Sequence, residues 1–183
     1  MNGIERCIDD EIPFEIPNNW VWIRLGTLFQ HNTGKALNSS NNDGKKLKYI
    51  TTSNLYWNRF ELEKIKEMYF TETEIDKYTV TSGDLLVCEG GDIGRAAIWN
   101  YDFPICIQNH IHRLRPYTNI ALKFYYYIFF LYKKAGLIGG KGIGIQGLSS
   151  NAINQLLIPL PPVNEQHRIV ERIEKILPTI EKL

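Results

Sequence analysis

The sequence predicts an α+β fold: a single domain with a mixed or antiparallel sheet and helices, followed by the start of a long C-terminal helix suited to a coiled coil. Three observations predict it. Short β-branched and aromatic runs recur between glycine-bearing turns, the pattern of strands and hairpins. Residues 120–135 pass without Gly or Pro before Gly136 supplies a stop, the pattern of a helix. Near the C-terminus Ile169, Ile173, Ile176, Ile180 and Leu183 are spaced 4, 3, 4, 3, the seam of a heptad helix. A chain of 183 residues suits one core. The expected boundaries are an extended lead-in over 1–19, the domain body over 20–162 and the helix over 163–183.

In chain order, the lead-in holds Pro13 and Pro17 between acidic residues, so it should run extended. Trp20-Val21-Trp22-Ile23-Arg24-Leu25 reads as a strand ended by Gly26. Residues 38–46, rich in Asn, Ser, Gly and Lys, read as a loop, and 48–52 as a short strand. Thr71 should cap a brief helix over 72–78. Ser82-Gly83-Asp84 turns the chain into the strand Leu85-Leu86-Val87-Cys88. Residues 90–94 then connect it to Arg95-Ala96-Ala97-Ile98-Trp99 as a hairpin. Residues 104–107 and 110–116 continue the β pattern, and the aromatics of the 120–135 helix should face the core. After a glycine-rich stretch, Ser149 should cap a short helix before the strand Leu157-Ile158-Pro159-Leu160. Asn164 is the expected N-cap of the last helix. That helix reaches Leu183 on a seam position without a stop signal, so the natural helix is expected to run on.

The hydrophobic content of 44% and charged content of 22% exclude a disordered chain. The longest apolar run, 124–132, is too short to cross a bilayer, and the N-terminus has no basic region followed by an apolar stretch, so a cytoplasmic location is expected. Cys7, Cys88 and Cys106 fit no disulfide framework, and together with His110 and His112 they match no zinc spacing, so buried free thiols and no metal are expected. The net charge is only +1, but cations are in surplus over 31–68 and over 114–147, and the latter has no acid, which would suit phosphate.

Catalytic patterns fail one by one. Gly139-Gly140-Lys141-Gly142 lacks the Ser or Thr that must follow the lysine of a phosphate loop. Residues 90–94 lack dinucleotide-binding spacing. Leu160-Pro161-Pro162-Val163 lacks the amide and aromatic that would hold a flipped adenine. Asp43-x-Lys45 lies in a polar loop, and no G-x-S-x-G elbow occurs. A non-catalytic binding chain without a cofactor is the expectation.

Several pieces then agree in order. They are Ile12-Pro13-Phe14-Glu15-Ile16-Pro17 before Trp20, Leu25-Gly26, Gly83-Asp84-Leu85-Leu86 through Gly94-Arg95-Ala96-Ala97-Ile98, Leu148-Ser149, and Ile158-Pro159-Leu160-Pro161-Pro162 with Glu165-Gln166 and Arg168-Ile169-Val170. With these motifs the sequence resembles a target recognition domain of a type I restriction-modification specificity subunit. The resemblance implies sequence-specific recognition of half of a split double-stranded DNA target, directing partner methyltransferase and restriction subunits. The partner methyltransferase would hold the methyl donor. It also implies that two such units pair their helices, so this chain is expected to be either a half-size subunit that dimerises or part of a two-domain subunit. The end at Leu183 favours the latter. The alternative left open is a docking module of a methylase complex without its own DNA reading.

Base edges are read by Asn or Gln at adenine and by Arg or Lys at guanine, while lysines hold phosphates. The DNA-binding candidates by residue type and loop position are Lys35, Asn41, Asn42, Lys45, Lys46, Lys48, Asn54, Arg59, Lys141 and Gln146. The helix-pairing candidates are Ile169, Ile173, Ile176, Ile180 and Leu183.

Overall fold

A computed structural model describes residues 7–38, 40, 42–139 and 147–180. Its elements, in order, are β1 (Val21–Arg24), a 3-10 turn (Leu25–Thr27), β2 (Phe29–Thr33), β3 (Lys45–Ile50), β4 (Leu55–Tyr56), β5 (Arg59–Phe60), β6 (Lys66–Phe70), α1 (Glu72–Tyr78), β7 (Thr79–Val80), β8 (Leu85–Cys88), β9 (Ala96–Ile98), β10 (Ile105–Ile107), β11 (Ile111–Pro116), α2 (Leu122–Lys134), α3 (Ser150–Gln155), β12 (Leu157–Leu160) and α4 (Val163–Ile180). One sheet, in the order β2-β11-β8-β9, is wholly antiparallel. A second, β6-β3-β10-β7, is mixed, because β10 runs parallel to β3. β1 pairs with β12, closing the start of the domain onto its end, and β4 with β5 forms a small hairpin.

The run Leu85-Leu86-Val87-Cys88 is apolar throughout because its sheet is covered on both faces. Leu85 and Val87 pack with Phe124, Tyr125, Phe129 and Tyr132 of α2, as expected of those aromatics. Leu86 and Cys88 face the opposite cluster around the fully buried Trp99. Asp84 closes the turn before β8. Its side chain, 1% exposed, accepts from Arg115 Nε at 2.8 Å, Arg115 Nη2 at 2.7 Å and Thr81 N at 2.8 Å. Gly83, at φ +89°, supplies the left-handed residue that this turn needs.

Both expected caps form. Thr71 Oγ1 accepts from Glu74 N while the Glu74 carboxylate accepts from Thr71 N at 2.9 Å, a capping box, and Ser149 Oγ accepts from Ala152 N at 3.2 Å. Three readings are corrected. The lead-in contains a 3-10 turn at Asp9–Glu11, and Glu11 binds the Arg24 guanidinium at 2.8 and 2.9 Å. Asn164 lies inside the first turn of α4, because Glu165 N and Gln166 N already donate to Pro162 O. Cys7 is exposed, whereas Cys88 and Cys106 are the buried free thiols expected.

The joint between body and last helix is Gln166. Fully buried, it accepts from Ala121 N at 3.2 Å and donates to Pro161 O at 2.9 Å. Its neighbour Glu165 accepts from Asn19 at 3.1 Å, and Lys123 of α2 pairs with Glu174. The Glu165-Gln166 dipeptide therefore fixes how α4 leaves the domain.

Candidate nucleic-acid interface

The best cationic surface starts at Gly44. At φ +95°, its added Cβ would lie 2.1 Å from Phe70 O, so only glycine brings the chain this close to β6 as β3 begins. β3 then carries Lys45, Lys46 and Lys48 outward, all exposed, with Asn42 exposed just before them. Lys46 lies 3.5 Å from Glu67 of β6, both about half exposed, a contact that solvent screens and that leaves the ammonium available. Lys64 and Lys66 are also exposed beside this strand. A groove of about 850 Å³ opens here, its lining including Lys46, Lys48, Leu62, Ile65, Phe103 and Ile105. Arg59 is exposed on the neighbouring β4–β5 hairpin. Such a surface can hold phosphates through flexible ammonium groups and apolar edges through its floor.

Two of the candidates are corrected by burial. Lys35 is 6% exposed, and its ammonium donates to Tyr69 O at 2.8 Å and to Glu74 at 2.6 Å. The Lys35 hydrogen bond is the main reason that the Glu74 carboxyl titrates below its usual range. Asn54 is 5% exposed. Its side chain accepts from Thr51 N and donates to Glu61 O and Lys64 O, bracing the hairpin from below. Neither can leave its partners without stranding buried polar groups. Asn41, Lys141, Gln146 and Leu183 lie outside the described residues, as does the side chain of Ile180.

The acid-free segment 114–147 presents less free charge than its composition promises. Arg115 is bound to Asp84, Lys123 to Glu174, and Lys133 lies 2.9 Å from Asp92. These three cations answer acids that are remote in sequence, while Lys134 is exposed with its ammonium 5.5 Å from the Phe130 ring centroid.

Behind β11 a neutral imidazole chain braces the end of the glycine-rich stretch. His112 Nε2 lies 2.6 Å from Leu148 O, so it must carry a proton. His112 Nδ1 then accepts from His31 Nε2 at 2.8 Å, and His31 Nδ1 accepts from Asn154 at 3.2 Å. Burial pushes the pKa of His112 down to about 4 and also lowers that of His31, which Arg113 lowers further. The pair is structural, tying β2 and β11 to α3.

Among the described residues no cluster of His, Cys, Asp and Glu could hold a metal ion, and no helix is long and apolar enough to cross a membrane. Missed by residue type alone were Lys64, Lys66, Tyr56 and Arg95. No local pattern marks the first two, since Lys66 has the strand parity of the buried Met68 and Phe70 and so masks β6.

Residues 17–182 match the family described as the type I restriction modification DNA specificity domain. The chain is 24% identical over 191 residues to the EcoAI type I restriction enzyme specificity subunit of Escherichia coli, covering 96% of this chain and 31% of that protein. It is 31% identical over 93 residues to a putative type I restriction enzyme specificity subunit of Haemophilus influenzae, covering 51% of this chain and 24% of that one. The chain thus spans about a third or less of these relatives. Its fold is similar to the crystal structure of the HsdS subunit from Thermoanaerobacter tengcongensis, with a TM-score of 0.70 at 20% identity over 93% of this chain and 40% of that one. Taken with the motifs and the mixed α+β architecture, this match over nearly the whole length means that the chain belongs to the type I restriction-modification DNA specificity domain family, whose members confer specificity and are not catalytic.

Proposed function

We propose that the body over 20–162 reads one half of a split double-stranded DNA target within a type I restriction-modification complex, where partner methyltransferase and restriction subunits supply the chemistry. The observation that carries this reading is the exposed lysine row of β3, Lys45, Lys46 and Lys48, beside a groove floored by apolar side chains. Phosphate contacts of this kind position a protein on the duplex, and side chains at base edges then select sequence. Asn42 and Arg59, both exposed nearby in the chain, are the described residues proposed for base edges.

We also propose that α4 begins the helix that joins this unit to a second one, in the same chain or by dimerisation. Ile169, Ile173 and Leu177 line an apolar groove of about 780 Å³ together with Trp57, Phe124 and Leu131. Ile176 is 43% exposed on the same helix. A partner helix would cover these residues, and the seam positions Ile180 and Leu183 would extend the contact.

The test is the salt dependence of duplex DNA binding by the chain with Lys45, Lys46 and Lys48 all replaced by glutamine. Removing one phosphate-bound lysine should reduce the magnitude of the slope of log affinity against log salt by about 0.9, so a reduction of about 2–3 is expected, with weaker binding at every salt concentration. Unchanged affinity and slope would favour the docking-module reading.

A further inference from the structure

The β4–β5 hairpin is held far more firmly than a six-residue surface loop requires. Leu55 and Phe60 are buried in the cluster around Trp99, and Asn58 N donates to Ala96 O at 3.2 Å. Trp57 packs edge-on against Phe130 of α2, with ring centroids 5.1 Å apart. Asn54 braces its base through the bonds to Glu61 O and Lys64 O. On the outer side this rigid tip leaves Tyr56, Asn58 and Arg59 exposed.

The exposed group has an unusual charge arrangement. Tyr56 pairs across the hairpin with Arg59, whose guanidinium carbon lies 4.4 Å from the tyrosine ring centroid. A second guanidinium, that of Arg95, lies 5.3 Å from the same centroid. Arg95 is committed: Nη2 donates to Thr52 O at 2.7 Å, and Nη1 is 3.9 Å from Asp92. Arg59 has no carboxylate partner among the described residues. One ring thus gathers two cations, and the guanidinium donors of the outer one have no hydrogen-bond partner among the described residues. The ring orders the guanidinium without using its N–H groups, since cation–π attraction acts through the π face while the donors lie in the guanidinium plane. Two like charges on one ring repel, and an electron-rich partner at the outer fork would relieve that repulsion.

We propose that Arg59, set by Tyr56 with Arg95 behind it, is a preorganised fork for a pair of hydrogen-bond acceptors on DNA: the O6/N7 edge of guanine or the two free oxygens of a phosphodiester. Arg59 makes the contact, while Tyr56 and Arg95 are positioning residues. The segment leaving the hairpin reaches Leu62 and Ile65, which line the groove beside Lys46 and Lys48. This inference rests on the DNA-reading function proposed above.

The experiment selects duplexes from a pool with a randomised central stretch, using the purified chain and its Arg59→Gln, Arg59→Lys, Tyr56→Phe and Tyr56→Leu variants, with thermal melting to establish that each folds. Arg59→Gln should weaken binding at least about tenfold. If the acceptor is guanine, one guanine position of the selected sequence becomes degenerate in Arg59→Gln and is weakened in Arg59→Lys, which keeps the charge but loses the planar fork. If it is phosphate, the selected sequence is unchanged, Arg59→Lys binds nearly as wild type, and Arg59→Gln lowers the salt slope by about 1. Tyr56→Phe, which keeps the ring, should behave as wild type, while Tyr56→Leu should reproduce part of the Arg59→Gln defect. A wild-type chain that binds DNA alongside an Arg59→Gln variant with unchanged affinity and selection overturns the fork alone. A wild-type chain that binds no duplex overturns the DNA-reading function as well.

Discussion

Replacing Asp84 by alanine is expected to destabilise the domain by about 2–3 kcal/mol, because it removes a buried acceptor of three hydrogen bonds, two of them from a guanidinium that stays partly solvated. The carboxylate receives two bonds from the Arg115 guanidinium, one to each oxygen, in addition to the bond from Thr81 N. Its own backbone oxygen accepts from Trp99 N at 2.9 Å, so the turn also registers β8 against β9. For a chain of this size the melting temperature should fall by roughly 4–12 °C. Urea denaturation of the variant measures the effect directly. A loss under about 1 kcal/mol would mean that the turn is held by its backbone, with Gly83 and not the ion pair as the important residue. Asp84→Asn should fall between the two, since an amide keeps one acceptor and loses the charge.

The second large effect is expected at Gln166. Leucine fills a similar volume but strands Ala121 N and Pro161 O in a dry joint, at about 1–3 kcal/mol for each group. The consequence differs in kind from that at Asp84. Leucine leaves the apolar contacts of the core around α2 in place, so the body should stay folded while the first turns of α4 loosen. Hydrogen exchange would register this as faster exchange of the Ala121 amide and of the α4 amides, with the amides of β8 and β11 unaffected. Uniform acceleration throughout the domain would instead make the joint part of the core.

What could be read from the sequence was local chemistry. Thr71 and Ser149 as caps, Gly136 as a helix stop, and Gly83-Asp84 as a turn all act through neighbours within a few residues, so their meaning does not depend on the rest of the fold. Of the strands that escaped detection, β2, β6 and β7 are sheet edges. Their polar residues, such as Gln30 and Lys66, face solvent at an edge and mask the β pattern. The short hairpin β4–β5 carried no glycine at its tip, where Asn58 takes the positive φ of 56°. Residue type was an uncertain guide to the interface for a related reason. Lys35 and Asn54 have the same chemistry as Lys45 and Asn42, and only the tertiary partners Glu74 and Glu61 reveal that they are spent inside the fold. Tyr56 and Arg95 stand out only once the hairpin brings them to the same ring as Arg59.

In the function proposed, the body over 20–162 chooses one half of a DNA target while α4 sets its place in the assembly. The decisive experiment exchanges residues 20–162, within the protein as it occurs in its complex, for the matching stretch of a relative with a different target, and then maps methylated bases across the host genome. A hybrid motif is expected, in which one half-site changes to the donor's and the other is retained. An unchanged motif in a complex that still methylates would contradict it.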